Sequence, residues 1–166
     1  MGRARKFFKN IGNFVTSQFE VTQSGGAGDD TLNGKNLFRN KLYGNEGNDI
    51  LKAFGAHNEL YGGAGDDFLR AVGISNVMSG GEGNDEIVGL GLRNEMSGGT
   101  GDDMIRGVGA WNDMRGDQGN DQLIGIGAYN AMNGGADNDL LVGLGAYNDM
   151  QGGTGSDRLV GIGAFN

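Results

Sequence analysis

The chain has 166 residues, with 36 glycines, no proline, no cysteine and a net charge of -8. Glycine at that level without proline or a three-residue period excludes collagen, and the missing cysteines exclude disulfides and thiolate metal sites. Residues 1–23 set Arg3, Arg5, Lys6 and Lys9 against Glu20 and so carry +3, which leaves -11 on the rest; a body that acidic excludes nucleic acid as a partner and favours cations.

The first element in chain order is basic and apolar. Phe7, Phe8, Ile11, Phe14 and Val15 stand at helical spacing and predict a short amphipathic helix within residues 7–19, weakened by Gly12. Lys9, Asn10 and Asn13 interrupt what a signal peptide needs as its apolar stretch, and Lys6 occupies the position where a myristoylation motif needs Ser or Thr. No apolar run in the chain reaches the roughly 18 residues of a membrane span. Three readings fit the segment: a cap over the first coil of a repeat array, a helix on a membrane surface through residues 1–19, or a docking helix.

From residue 24 the chain repeats. Loops GGAGDD at 25, GNEGND at 44, GGAGDD at 62, GGEGND at 80, GGTGDD at 98, GDQGND at 116, GGADND at 134 and GGTGSD at 152 follow one another at 19 and then always 18 residues. Two residues past the last Asp of each loop stands Leu or Ile, from Leu32 and Leu51 to Leu141 and Leu159. Asn45 and Asp117 replace the second glycine and Asp137 the third, and Asn and Asp are the side chains that best tolerate a left-handed backbone.

The other half of each repeat has its own rule, as in FGAHNEL, VGAWNDM and LGAYNDM: an apolar residue, Gly, two further residues and Asn. Asn40, Asn58, Asn76, Asn94, Asn112, Asn130, Asn148 and Asn166 fall where the loops carry Asp. Beside the later ones stand Trp111, Tyr129, Tyr147 and Phe165, an aromatic strip that either shields the asparagines or forms a protein-contact surface.

Eight copies of G-G-x-G-x-D-x-U-x in register resemble the repeats-in-toxin (RTX) calcium-binding nonapeptide family, over residues 24–159. The resemblance implies an all-β fold: a parallel β-roll, or β-solenoid, with 18-residue coils of two turns and two very short strands, over residues 24–166, preceded by the N-terminal segment 1–23. Equivalent residues would then stack in rows about 4.8 Å apart, with the Leu/Ile row and a second row from Leu42 to Met150 facing inward. It also implies calcium between successive loops, held by the carboxylates of Asp30, Asp49, Asp67, Asp85, Asp103, Asp121, Asp139 and Asp157. Carbonyls made convergent by Gly26, Gly28, Gly63, Gly65, Gly81, Gly83, Gly99, Gly101, Gly153 and Gly155 complete that ligand set.

The chemistry agrees with that implication. Carboxylates at such spacing repel unless neutralised, and calcium accepts 6–8 oxygens in flexible geometry, whereas magnesium holds its water and needs an octahedron. A neutral Asn row needs no counter-ion and can form an amide ladder. The expectation is one edge stapled by about seven calcium ions in a single row and an opposite edge without charge; a second, weaker calcium row on the Asn oxygens is the alternative.

No nucleophile–base pair, histidine cluster or cofactor fingerprint is present, so no enzymatic activity is expected of this chain. The expected function is an extracellular, calcium-dependent structural protein, a building block of a filament, surface layer or adhesive matrix; the alternative is the accessory RTX module of a larger secreted toxin or enzyme. By the resemblance, export runs by type I secretion without a cleaved signal peptide. The expected partners besides calcium are a second copy or another surface protein. These would meet the end of the array, where the chain stops at Asn166 halfway through a repeat, or the N-terminal segment.

Overall fold

The computed structural model describes residues 19–166. The expected N-terminal helix, with Phe7, Phe8, Ile11 and Phe14, lies outside them. The described chain forms one parallel sheet wound into a solenoid. Its strands are β1 (Glu20–Ser24), β2 (Thr31–Gly34), β3 (Arg39–Glu46), β4 (Ile50–Phe54), β5 (His57–Ala64), β6 (Phe68–Glu82), β7 (Glu86–Thr100), β8 (Met104–Gln118), β9 (Gln122–Ala136), β10 (Leu140–Thr154) and β11 (Arg158–Ile162). Among the described residues no helix is long and apolar enough to cross a membrane.

Identical residues pair with identical residues because the coil length equals the repeat length. Leu141 pairs with Leu123, Asn148 with Asn130 and Met150 with Met132. The longer first step is absorbed at one place. Gly34 pairs with Ala53 but Arg39 with His57, so the additional residue lies between positions 34 and 39, in the first Asn-side bend.

The two bends of a coil differ in kind, and this departs from the expected pair of very short strands. That description holds only up to β5; β6 to β10 each run 15 residues without a break around the Asn bend. Every positive φ among the described residues falls in the Asp loops, including those of Asn45 (85°), Asp117 (79°) and Asp137 (76°), which confirms why Asn and Asp alone replace glycine there. On the Asn side the backbone stays extended and keeps its ladder. Its glycines answer to space instead: a Cβ on Gly109 would overlap the carbonyl oxygen of Gly91 one coil away.

The core has the two expected rows. Leu51, Leu69, Ile87, Ile105, Leu123 and Leu141 are buried, and Leu42, Leu60, Met78, Met96, Met114 and Met132 face them. A third interior row compensates for the change from Leu to Met. Ala53 and Ala71 accompany Leu42 and Leu60, whereas Gly89, Gly107 and Gly125 lie against the methyl ends of Met78, Met96 and Met114. The longer side chain takes the volume that the missing Cβ leaves, as close packing requires. In the last coil Leu159 is exposed.

Candidate metal centre

Each Asp loop turns its final carboxylate inward. Asp49, Asp67, Asp85, Asp103, Asp121 and Asp139 are only 1–3 % exposed; Asp30 and Asp157, in the end loops, are half-buried. One oxygen of each except Asp30 is satisfied by the preceding coil. Asp49 N–H donates to Asp67 Oδ1 at 2.7 Å, Asp85 N–H to Asp103 Oδ1 at 2.7 Å and Asp121 N–H to Asp139 Oδ1 at 2.9 Å. The other oxygen is not: Oδ2 of Asp49, Asp67, Asp85, Asp103, Asp121 and Asp139 is buried without a hydrogen-bond donor. Orphaned buried polar atoms are rare in folded proteins, and here six stand in one row.

What borders those oxygens is further oxygen. A methyl group placed on Gly44 would meet both Asp49 Oδ2 and the carbonyl oxygen of Gly62, and one on Gly116 would meet Asp121 Oδ2 and the carbonyl of Gly134. The first glycines Gly44, Gly62, Gly80, Gly134 and Gly152 therefore bring a carbonyl towards a carboxylate, a position the sequence reading left out. The second and third glycines supply the left-handed bends, with Gly63, Gly65, Gly81, Gly83, Gly99, Gly101, Gly153 and Gly155 all at positive φ. Gly28 shares that conformation, whereas Gly26 does not and donates its N–H to Asp30. Among the described residues no three Asp, Glu, His or Cys side chains converge on one point. A donor set of carboxylate and carbonyl oxygens without nitrogen or sulfur fits calcium and does not fit zinc.

Burial, opposed by the backbone N–H and reinforced by neighbouring carboxylates, raises the carboxyl pKa of Asp67 to about 6 and those of Asp85, Asp103 and Asp121 to about 7. The surroundings deepen the field. The eight loop hexapeptides hold 15 of the chain's 21 acidic residues and none of its 13 Lys and Arg. The residue before the inward Asp builds a second, outer ladder, in which Asp66 N–H donates to Asn48 Oδ1 at 2.8 Å and Asn84 N–H to Asp66 Oδ1 at 2.7 Å. Along it Asp29, Asn48, Asp66, Asn84, Asp102 and Asn120 alternate charge with neutrality, so adjacent coils never oppose two carboxylates there. The alternation of GDD with GND was visible in the sequence and went unread.

The Asn row has similar placement and the opposite chemistry. Asn76 Nδ2 donates to Asn94 Oδ1 at 2.8 Å, Asn94 to Asn112 at 2.8 Å and Asn112 to Asn130 at 2.8 Å. The same nitrogens also reach backbone oxygens, those of Leu90, Val108 and Ile126. The ladder is continuous from Asn40 through Asn58 and Asn148 to Asn166. No Asn side-chain atom in the row is orphaned. Outside it, Tyr129 stacks on Tyr147 and Tyr147 on Phe165 at 4.6 and 4.7 Å, with Trp111 at 6.3 Å from Tyr129. All four rings are exposed.

The RTX calcium-binding nonapeptide repeat (4 copies) matches residues 24–36, 36–69, 73–91, 89–123 and 133–161. Neither a curated protein nor a solved structure matches the chain.

Proposed function

Because the chain belongs to the RTX calcium-binding nonapeptide-repeat family, we propose that it is an extracellular structural building block whose roll is stapled by one row of about seven calcium ions. The observation that carries the calcium reading is the row of six buried Asp Oδ2 atoms without a donor. Asp30, Asp49, Asp67, Asp85, Asp103, Asp121, Asp139 and Asp157 hold the ions in the gaps between loops, with the loop glycine carbonyls completing the shell. The ion supplies the positive charge that the interior lacks. The saturated Asn row supports confining metal to one edge, since its oxygens already accept hydrogen bonds. Calorimetry or anomalous scattering should count about seven ions in one row. A count near fourteen overturns the uncharged-edge reading.

Affinities of extracellular calcium modules lie near 10⁻⁴–10⁻³ M, which places folding outside the cell, after type I secretion in the manner typical of RTX-repeat proteins. The carboxylates of the calcium row and its outer ladder are committed to structure in this reading, which supports a non-catalytic role. Among the described residues no strand lies against the outer side of β11, and Leu159, Ile162 and Phe165 are exposed beside it. Open strands of this kind recruit further strands. A second copy stacked on it makes the chain a building block; further chain stacked on it makes the roll an accessory module of a larger secreted protein. Light scattering with and without calcium decides: growth of particles in millimolar calcium supports the building block, and a strict monomer at high concentration removes it.

A further inference from the structure

Two apolar surfaces of the roll have no partner among the described residues, and they differ in sign. One is the outer sheet face that follows the Asp loops, where exposed Phe54, Val108, Ile126 and Ile162 alternate with Lys52, Arg70, Arg106 and Arg158. The other is a groove of about 960 Å³ along the Asn edge, floored by Ile74, Leu92, Trp111, Tyr129, Tyr147 and Phe165. Asp113 and Asp149 lie on its rim. The one cation there, Arg93, is held by Glu95 at 3.4 Å.

We propose that this groove seats the chain's own N-terminal segment, residues 1–18. Composition selects the surface. The segment MGRARKFFKNIGNFVTSQ has Arg3, Arg5, Lys6 and Lys9, no acid, and the apolar Phe7, Phe8, Ile11, Phe14 and Val15. Its apolar side chains suit either surface. Its charge suits the acid-rimmed groove better: on the other face Glu86 pairs with Arg106 at 3.3 Å, which leaves Lys52, Arg70 and Arg158 to oppose an incoming cation.

The point of departure agrees. Phe19 packs edge-on against Phe38 with centroids 4.8 Å apart. Phe38 stands two residues before Asn40, as Ile74 and Leu92 stand two before Asn76 and Asn94. The segment thus leaves the roll on the edge that carries the groove, three coils ahead of Ile74. Coils follow at about 4.8 Å, so Ile74 is about 14 Å from Phe19 along the edge and Tyr129 about 29 Å. At between about 1.5 and 3.3 Å per residue, the eighteen residues ahead of Phe19 reach from about 27 to 60 Å. That is enough to lay the apolar side chains of residues 7–15 along the groove and to bring Arg3, Arg5 and Lys6 towards its acidic rim. A tether this short raises the local concentration of the segment to about the millimolar range, which favours the chain's own groove over a neighbour's.

The chain has one tryptophan and no cysteine, so Trp111 reports on the groove and an introduced thiol labels one place. Asn10→Cys, carrying a tryptophan quencher, should at least halve Trp111 emission in millimolar calcium, by the same factor on dilution. Adding Asp113→Lys and Asp149→Lys should restore most of the emission, as should high salt. Unchanged emission beside a full β signal by circular dichroism overturns the docking while leaving the calcium-folded roll intact. Quenching that fades on dilution overturns it as well, since the occupant is then another copy's segment.

Discussion

Calcium titrated into the chelated protein at pH 7.5 should carry it cooperatively from an unfolded to a β-rich circular dichroism spectrum. Neighbouring carboxylates about 4.8 Å apart repel by roughly 3 kcal/mol at an effective dielectric near 20. A few such gaps equal the whole 5–15 kcal/mol that stabilises a typical domain. Against them stand two thin rows of core side chains and a glycine-rich backbone that loses much entropy on folding. Binding energy is therefore folding energy. Protons should partly replace the metal. The raised pKa values of Asp67, at about 6, and of Asp85, Asp103 and Asp121, at about 7, lie above the unfolded value of 3.8 for each. Each group's contribution to the metal-free fold is thus complete below about pH 4 and is lost as the pH rises through 6 to 7. In excess chelator, β signal should grow as the pH falls from 7.5 to 5, while the apparent calcium affinity declines. A full β spectrum in chelator at pH 7.5 refutes the gating, and a spectrum indifferent to acid refutes the buried-carboxylate account.

What the sequence made legible was whatever repeats. The 18-residue frame, the two core rows and the inward Asp and Asn rows could be placed because a stacked coil forces equivalent residues into one environment. Less legible was why glycine recurs in both halves. In GGTGSD it serves backbone conformation, as the φ values of Gly153 and Gly155 show. In GLGAYN it serves the close approach of Gly145 to Gly127. Close approach is common to both halves, since Gly153 and Gly155 also lie against the carbonyls of Gly135 and Asp137, and only the loops add the positive φ, a difference that only the backbone shows. The continuous strand around the Asn bend was hidden for the same reason. The pairing of Met78 with Gly89 and of Leu60 with Ala71 needed the third interior row, which lies between repeats rather than within one. Phe7, Phe8, Ile11 and Phe14, the proposed interface residues, belong to no repeat, and periodicity says nothing of where they sit.

Exchanging the two rows' side chains at single positions should have opposite consequences. In Asn112→Asp, Oδ1 still accepts from Asn94, but the atom that replaces Nδ2 faces Asn130 Oδ1 and the carbonyl of Ile126. Two donated bonds become two oxygen–oxygen contacts at a site 2 % exposed. An uncompensated buried charge of this kind costs about 3–5 kcal/mol, so at neutral pH and saturating calcium the denaturation midpoint should fall steeply. Acid should restore it, because a protonated carboxyl regains one donor. Asn166→Asp, at the exposed end of the ladder, should cost far less. In the reverse exchange, Asp121→Asn, the amide nitrogen enters beside the carbonyl of Gly134 and the orphaned oxygen disappears. That variant should need less calcium to begin folding yet bind about one ion fewer or more weakly at saturation, since carboxylate charge sets affinity. An Asn112→Asp chain that keeps its stability and takes up an additional ion would show that the Asn edge also accepts calcium, and the single-row account would then fail.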